Sequence, residues 1–499
     1  MNIIPLPNYY KIKNEIFKFN YNTTIYFSKE FLNTKKEVFK FFQGKINLIE
    51  STNDLCEIYF LLNLELLEEE YIIDIDEYSI TIEASTDQGA FYAFQSLKQL
   101  FYFENPYYQV KAIYIKDAPK FYYRGLMIDC ARHFIEKKEI FKIIDMLALH
   151  KFNYLHLHLS DDQGFRFEST KYPNLIKVGS KRENTKVSFQ KYTNKPCSGY
   201  YSKEDLKEIV NYAKSHFLEV IPEIDMPGHT NAILASYNEI SCTKEKGKVS
   251  YNMKIKNNAL CVTKQETYEF IYNLLDEIIE IFDTKFIHLG CDEVKFRNYR
   301  KCETCKKELK KGKCNLMTYF INNLATYLRE KGKIPIIWND FISKKTNYNV
   351  ICEYWKPFTK RKIIQEINSG RKTIISSFFH LYLDYPYSMT PLEKTYNFNP
   401  EFKGIIDTNN ILGIEATIWT EYIANNDLLE FQLFPRLAAV SEIAWTNPQN
   451  KNYQNFSKRL PHIYKFYDAK FINYNKDATK QDNLIKRLSK TLRWFFKKK

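Results

Sequence analysis

A chain of 499 residues with 44% hydrophobic, 16% aromatic and 26% charged content is long enough for two folded domains and too apolar to be disordered. No window approaches the ~18 consecutive apolar residues of a membrane-spanning helix, so stable membrane insertion is not expected. The net charge of +14 comes from lysines dispersed along the whole chain, without a nucleic-acid-binding motif, and reads as a solvated surface.

Met1-Asn-Ile-Ile-Pro-Leu-Pro-Asn8 is not a basic segment followed by an apolar one, so no signal peptide is expected. The ten cysteines form no dense framework and suit a reducing compartment, which points to a cytoplasmic protein. Residues 1–118 read as an α+β domain. Tyr71 to Glu83 alternates apolar and polar residues around a turn, as a hairpin does, and Gly89 to Phe101 has the apolar spacing of a helix that covers a sheet.

After Asp117-Ala-Pro-Lys120, strand-like runs alternate with helix-like ones, the pattern of βα units. The strand candidates are Gly125–Asp129, Tyr154–Leu159, Leu218–Glu223, Phe286–Gly290, Ile334–Trp338, Val350–Glu353, Thr373–Ser376 and Leu412–Trp419. That set fills a (β/α)8 TIM barrel over 119–446. Thr263-x-x-Glu266 reads as a capping box before the amphipathic run Tyr268–Phe282, and Ser202 with Asp205 opens a helix through Ser215 in the same way. Residues 447–499 read as a helical extension packed on the barrel, ending in the basic-aromatic Arg493-Trp-Phe-Phe-Lys-Lys-Lys499, the one place where weak surface contact with a membrane is conceivable.

Phe286-Ile-His-Leu-Gly-Cys-Asp-Glu293 reads as a buried strand delivering two adjacent carboxylates. Such groups are costly to desolvate unless paired or catalytic, although Asp292 and Glu293 could instead simply open the next helix. On a barrel the strand ends converge on one face. Here they carry Asp129, Arg132 and His133; His156, His158, Asp161 and Asp162; Glu223, Asp225 and His229; Asp292 and Glu293; Trp338; Glu353 and Trp355; Tyr382 and Asp384; Trp419 and Glu421. Carboxylates and arginine suit sugar hydroxyls, and tryptophans suit the apolar faces of a pyranose; the alternative is that the tryptophans only fill barrel layers.

Five motifs, Arg124–Phe134, His156–Arg166, Ile221–Thr230, His288–Glu293 and Glu415–Glu421, stand in the order seen in family 20 glycoside hydrolases, the β-N-acetylhexosaminidases, and the resemblance covers about residues 120–446. The N-terminal region also resembles the small domain that precedes the barrel in that family. The resemblance implies an exo-acting retaining enzyme that removes terminal N-acetylhexosamine from an oligosaccharide or glycoconjugate, with the substrate's own 2-acetamido group as nucleophile and no cofactor. By the same resemblance Glu293 is the general acid/base and Asp292 orients the acetamido group. Trp338, Trp355 and Trp419 surround that group and Tyr382 bonds its carbonyl oxygen. Arg132, His158, Asp384 and Glu421 face the sugar, and Asp161 with His229 supports the acid/base. Cys291 departs from the family pattern, which usually has glycine there, and could tighten the site or expose activity to thiol reagents.

The chemistry agrees with that assignment. Neighbouring residues of a strand face opposite ways, so Asp292 and Glu293 are poorly placed as nucleophile and acid about one glycosidic bond, and substrate-assisted catalysis removes the need for a protein nucleophile. Partial burial and the adjacent carboxylate are expected to raise the pKa of Glu293. Three rival readings remain. His156-x-His158 could bind a metal with His229, His288 and Asp292; the barrel could bind sugar without catalysis; or it could cleave polymers internally. Cys302-x-x-Cys305 with Cys314 lacks a fourth ligand at a familiar zinc spacing, so no metal site is assigned.

Overall fold

The computed structural model describes residues 1–52, 55–187, 192–243, 247–252 and 258–496. The N-terminal strands are β1 (Tyr9–Lys18), β2 (Asn22–Phe27), β3 (Asn47–Glu50), β4 (Ile58–Leu62), β5 (Tyr71–Ile75), β6 (Ile80–Ala84), β7 (Tyr102–Glu104) and β8 (Tyr107–Asp117). They form one mixed sheet in the order β1-β8-β5-β6-β4-β2-β3, with β7 paired to β8. The expected hairpin is β5–β6, antiparallel from Tyr71↔Ala84 to Ile75↔Ile80. The expected helix is Asp87–Leu100, started by the Thr86 hydroxyl accepting from the Gly89 N–H. Its burial on nearly every side has a reason: Phe91 meets Phe217 at 5.0 Å and Tyr92 meets Trp445 at 5.3 Å, so the helix is wedged between sheet and barrel. Arg124, buried at the start of the first barrel strand, reaches back to Glu69 at 2.6 Å.

The barrel strands are β9 (Tyr123–Asp129), β10 (Tyr154–His158), β11 (Glu219–Met226), β12 (Phe286–Gly290), β13 (Ile334–Trp338), β14 (Ile351–Tyr354), β15 (Thr373–Ile375) and β16 (Ile411–Ile418). They are parallel and close through β16 against β9. Their continuous apolar runs suit a sheet buried on both faces. One end of the bore is plugged by Tyr123, Tyr154, Ile221, Phe286, Ile336, Ile351 and Ile374. The next layer is ionic. His156 Nδ1 lies 2.9 Å from Glu415, His288 Nδ1 lies 3.0 Å from Glu223, and the Glu415 carboxylate approaches so closely that a Cβ on Gly125 would meet it at 2.5 Å.

The Ser202–Asp205 capping box is present and opens the helix Lys203–Ser215. The one expected at Thr263 is not. The helix Gln265–Ile279 starts from Lys264 without a side-chain cap, because the Thr263 hydroxyl is engaged by Thr304 at 2.7 Å and Cys305 at 3.1 Å. Beyond the barrel, the helix Tyr453–Ala469 packs Phe456, Leu460, Ile463 and Tyr467 inward, and its Arg459 meets Glu442 at 2.6 Å. The last helix, Leu484–Phe496, leaves Leu484, Ile485, Leu488, Leu492 and Phe496 exposed; residues 497–499 of the basic tail lie outside the described residues. Among the described residues no helix is long and apolar enough to cross a membrane.

Candidate active site

Asp292 and Glu293 sit in a turn beyond β12, and the next helix begins only at Glu303, so they do not cap a helix. The turn is tight. Gly290, Cys291 and Glu293 have φ of 66°, 70° and 46°, and His229 across the site has φ of 50°. Left-handed backbone at non-glycine residues costs of order 1–3 kcal/mol each and concentrates at functional sites. Gly290 has no substitute here, since a Cβ would lie 1.8 Å from Asp225 Oδ1, the atom that accepts the Cys291 N–H at 3.2 Å.

This turn overrules strand alternation. His229 Nε2 lies 3.8 Å from Asp292 Oδ2 and 3.6 Å from Glu293 Oε2, so both carboxylates face one imidazole and not opposite ways. The other nitrogen of His229 is 3.2 Å from Asp161 Oδ1. Asp161 also meets Arg132 at 2.8 Å and His158 at 2.9 Å, while Arg132 reaches Asp129 at 3.2 Å and Glu421 at 3.8 Å.

The aromatic groups continue the same surface. The Arg132 guanidinium lies over Trp419 at 4.8 Å, Trp419 neighbours Tyr382 at 6.4 Å, and Tyr382 stacks on Trp355 at 6.2 Å. Trp338 is wholly buried, its indole N–H donating to Glu223 at 2.9 Å. It bridges the histidine layer and Trp419, which combines the layer-filling and pocket expectations. Asp384 lies close enough to Glu421 for the two carboxyls to interact. The expected site residues therefore form one connected group.

Sequence reasoning missed Asp340. It accepts from Trp355 Nε1 at 2.8 Å, from Lys356 Nζ at 2.6 Å and from the Glu293 N–H at 3.3 Å, joining the pocket wall to the acidic turn. Its signal was available, since Trp338-Asn-Asp340 runs off a strand end as the other site residues do.

The electrostatics reverse one expectation. Burial pushes the Glu293 carboxyl up, but cationic His229, with Arg132 and Lys295, outweighs it and leaves the pKa below the ordinary glutamate value. His229 can be cationic because Asp161, Asp225 and Asp292 overcome the burial that opposes its charge. Asp292 instead carries the raised pKa, about 7, through burial reinforced by Asp340 and Glu293 against the opposing His229. Burial likewise takes Asp384 to about 8. Asp292 Oδ1 and Asp384 Oδ1 are buried and make no hydrogen bond among the described residues. Two buried oxygens without partners suit the polar groups of a ligand. Cys291 is buried, and burial with Asp225 and Asp292 holds its thiol well above the usual range, so the expected exposure to thiol reagents is not found.

His156 and His158 both face the barrel interior, and each lies between two carboxylates: Glu223 and Glu415 for His156, Glu223 and Asp161 for His158. Opposed carboxylates push both imidazoles up to about 10 against their burial, so each is a counter-charge to the carboxylates of the bore.

Residues 121–448 match the family described as Glycosyl hydrolase family 20, catalytic domain, and residues 1–118 match Glycosyl hydrolase family 20, domain 2. The chain is 31% identical over 511 residues to a beta-hexosaminidase of Porphyromonas gingivalis, covering 95% of this chain and 64% of that protein, less than two thirds of its length. It is 32% identical over 382 residues to a beta-hexosaminidase of Akkermansia muciniphila, covering 73% of this chain and 76% of that one. Among solved structures, the family 20 exo beta-N-acetylglucosaminidase of Vibrio harveyi in complex with N-acetylglucosamine superposes with a TM-score of 0.85 at 26% identity, covering 96% of this chain and 79% of that one. With the catalytic-domain match spanning most of the chain on a closed parallel barrel, this protein belongs to glycosyl hydrolase family 20.

Proposed function

We propose that the chain is an exo-acting, retaining β-N-acetylhexosaminidase that releases terminal N-acetylhexosamine by substrate-assisted catalysis. The observation that carries this reading is the adjacent pair Asp292–Glu293 turned toward one imidazole beside the Trp355–Tyr382–Trp419 wall, with Asp292 Oδ1 unpartnered. The acetamido oxygen attacks the anomeric carbon as Glu293 protonates the leaving oxygen, giving an oxazolinium-like intermediate. Glu293 then activates water, and the two displacements together retain configuration.

Asp292 accepts the acetamido N–H and stabilises the positive charge that develops on that group. Tyr382 donates to the acetamido oxygen, and Trp338, Trp355 and Trp419 enclose the group. Arg132, Asp384 and Glu421 face the sugar hydroxyls, while Asp161 and His229 orient the acid/base; His158, expected to face the sugar, has both ring nitrogens on Glu223 and Asp161 and instead holds Asp161 from within the bore. The pKa order in the free protein gives substrate a second task. One proton on the carboxylate pair favours Asp292, but an amide N–H at Asp292 stabilises its ionised form and lets Glu293 take the proton needed for the first step.

The test is release of 4-nitrophenol from the aryl N-acetyl-β-glucosaminide beside the β-glucoside that lacks the acetamido group. Hydrolysis of the first alone is expected. Comparable hydrolysis of both would require a protein nucleophile and defeat the proposal, and turnover of neither would favour a non-catalytic sugar-binding barrel.

A further inference from the structure

We propose that Cys242, Cys261, Cys302 and Cys305 form a structural Zn2+ site that fastens the segment following the Asp292–Glu293 turn to the loop preceding the helix Gln265–Ile279. The local spacing offers Cys302-x-x-Cys305 at the start of the helix Glu303–Leu309, and the fold supplies two more thiols. Cys242 and Cys261 flank an isolated antiparallel bridge, Ser241↔Leu260, further held by the Cys261 N–H donating to Ile240 O at 2.8 Å. Two ligands from the two sides of this bridge and two from a helix start make a compact four-sulfur set. The side chain of Cys314, the third candidate by spacing, lies outside the described residues.

The sulfurs are spaced as such a site requires. Zn–S bonds of about 2.3 Å in a tetrahedron separate neighbouring sulfurs by about 3.8 Å. Cys242 and Cys305 are 3.7 Å apart, Cys261 and Cys302 3.9 Å, Cys261 and Cys305 3.5 Å, and all four ligand atoms lie within 4.8 Å of one another. None of these separations is that of a disulfide, and the described cysteines are free.

Hydroxyl donors surround the set as they do around metal-bound thiolates. Thr263 Oγ1 lies 3.1 Å from the Cys305 sulfur and 3.6 Å from that of Cys261, and Thr304 Oγ1 lies 3.3 Å from that of Cys302. The ordinary alternative is four thiols packed as small apolar groups. It gives no reason for polar hydroxyls to converge on them or for the helix cap at Thr263 to be forgone. Binding exchanges the four thiol protons for one Zn2+, leaving a tetrathiolate of charge −2. Its mechanical consequence falls on the loop between β12 and Cys302, which carries both acidic residues and whose Tyr299 hydroxyl is already tied to Leu260 O at 3.0 Å.

The experiment is metal analysis of the full chain purified without added metal or chelator, with Co2+ exchange followed by absorption. About one Zn2+ per chain is expected, with Co2+ giving the visible bands of tetrahedral thiolate ligation. The Cys302→Ser/Cys305→Ser double variant is expected to lose the metal, and Cys56→Ser to keep it. Metal retained by the double variant would locate it elsewhere and overturn the proposal, as would a metal-free native chain that takes up neither ion, or a Cys261–Cys305 disulfide found by mass spectrometry. Should the double variant not fold, the sulfur-to-cobalt absorption of the native chain decides the ligation, and its absence overturns the site.

Discussion

The Nε2 atom of His229 lies 3.6 Å from Oε2 of Glu293 and 3.8 Å from Oδ2 of Asp292, and this cation keeps Glu293 ionised in the free protein. A general acid that begins as a carboxylate must acquire its proton when substrate arrives. Glu293→Gln is therefore expected to lower kcat by roughly 10²–10⁴ on an N-acetylhexosamine oligosaccharide, whose leaving alcohol needs protonation. The loss should be much smaller with a strongly acidic phenol as leaving group. Equal losses on the two substrates would remove Glu293 from the acid role.

The same pair sets the pH profile. With Asp292 at about 7 and Glu293 below its ordinary value, the singly protonated pair dominates between those limits. kcat/KM is expected to fall above about pH 7 as the last shared proton leaves. Asp340 helps to raise Asp292, so Asp340→Asn is expected to move that alkaline limb to lower pH, besides weakening the hold on Trp355. A profile flat to pH 9, or a limb unmoved in Asp340→Asn, would contradict the coupling.

Asp384 offers a test on stability. Its folded pKa of about 8 lies above the unfolded value, so the two states bind protons equally in strong acid. As pH rises, the unfolded chain ionises first and the native state is progressively penalised, fully so above about pH 8. Asp384→Asn is expected to have a higher thermal midpoint than the parent at pH 9, a gap that closes toward pH 4, while sugar hydrolysis falls. A midpoint difference independent of pH would show that ionisation of Asp384 is not the cause.

Much of this was legible from local pattern. Phe286–Gly290 and Ile334–Trp338 fall where their apolar runs put them, and Ser202 with Asp205 caps its helix, because each signal lies within a few residues. What stayed hidden depended on convergence. Asp340 stands at a strand end like the other site residues, but its role shows only when Trp355 and the Glu293 N–H reach it, and Cys242 and Cys261 reveal nothing until the chain brings them beside Cys302. The direction of the Glu293 shift followed from the charge on His229, itself set by Asp161, Asp225 and Asp292 at the ends of three different barrel strands. Thr263 was misread for the same reason, its hydroxyl being claimed by a distant partner.

Cys291 and Gly290 separate two causes of glycine preference. Cys291 has φ of 70°, its sulfur is buried against Leu289 O at 3.6 Å, and its thiol is held well above the reactive range. Cys291→Gly relieves left-handed strain of about 1–2 kcal/mol and forfeits burial of a small apolar group worth a similar amount, so stability and kcat should stay near those of the parent. Iodoacetamide should likewise leave activity intact. Gly290→Ala is different, because its Cβ would meet Asp225 Oδ1 at 1.8 Å and Asp225 holds the turn through the Cys291 N–H. The acidic pair must then move, and with it the distance to His229, so kcat should collapse even where the chain still folds. Comparing kcat and thermal midpoints of the two variants checks both arguments: a severe defect in Cys291→Gly would mean the thiol itself is required, and a mild one in Gly290→Ala would mean the turn tolerates displacement.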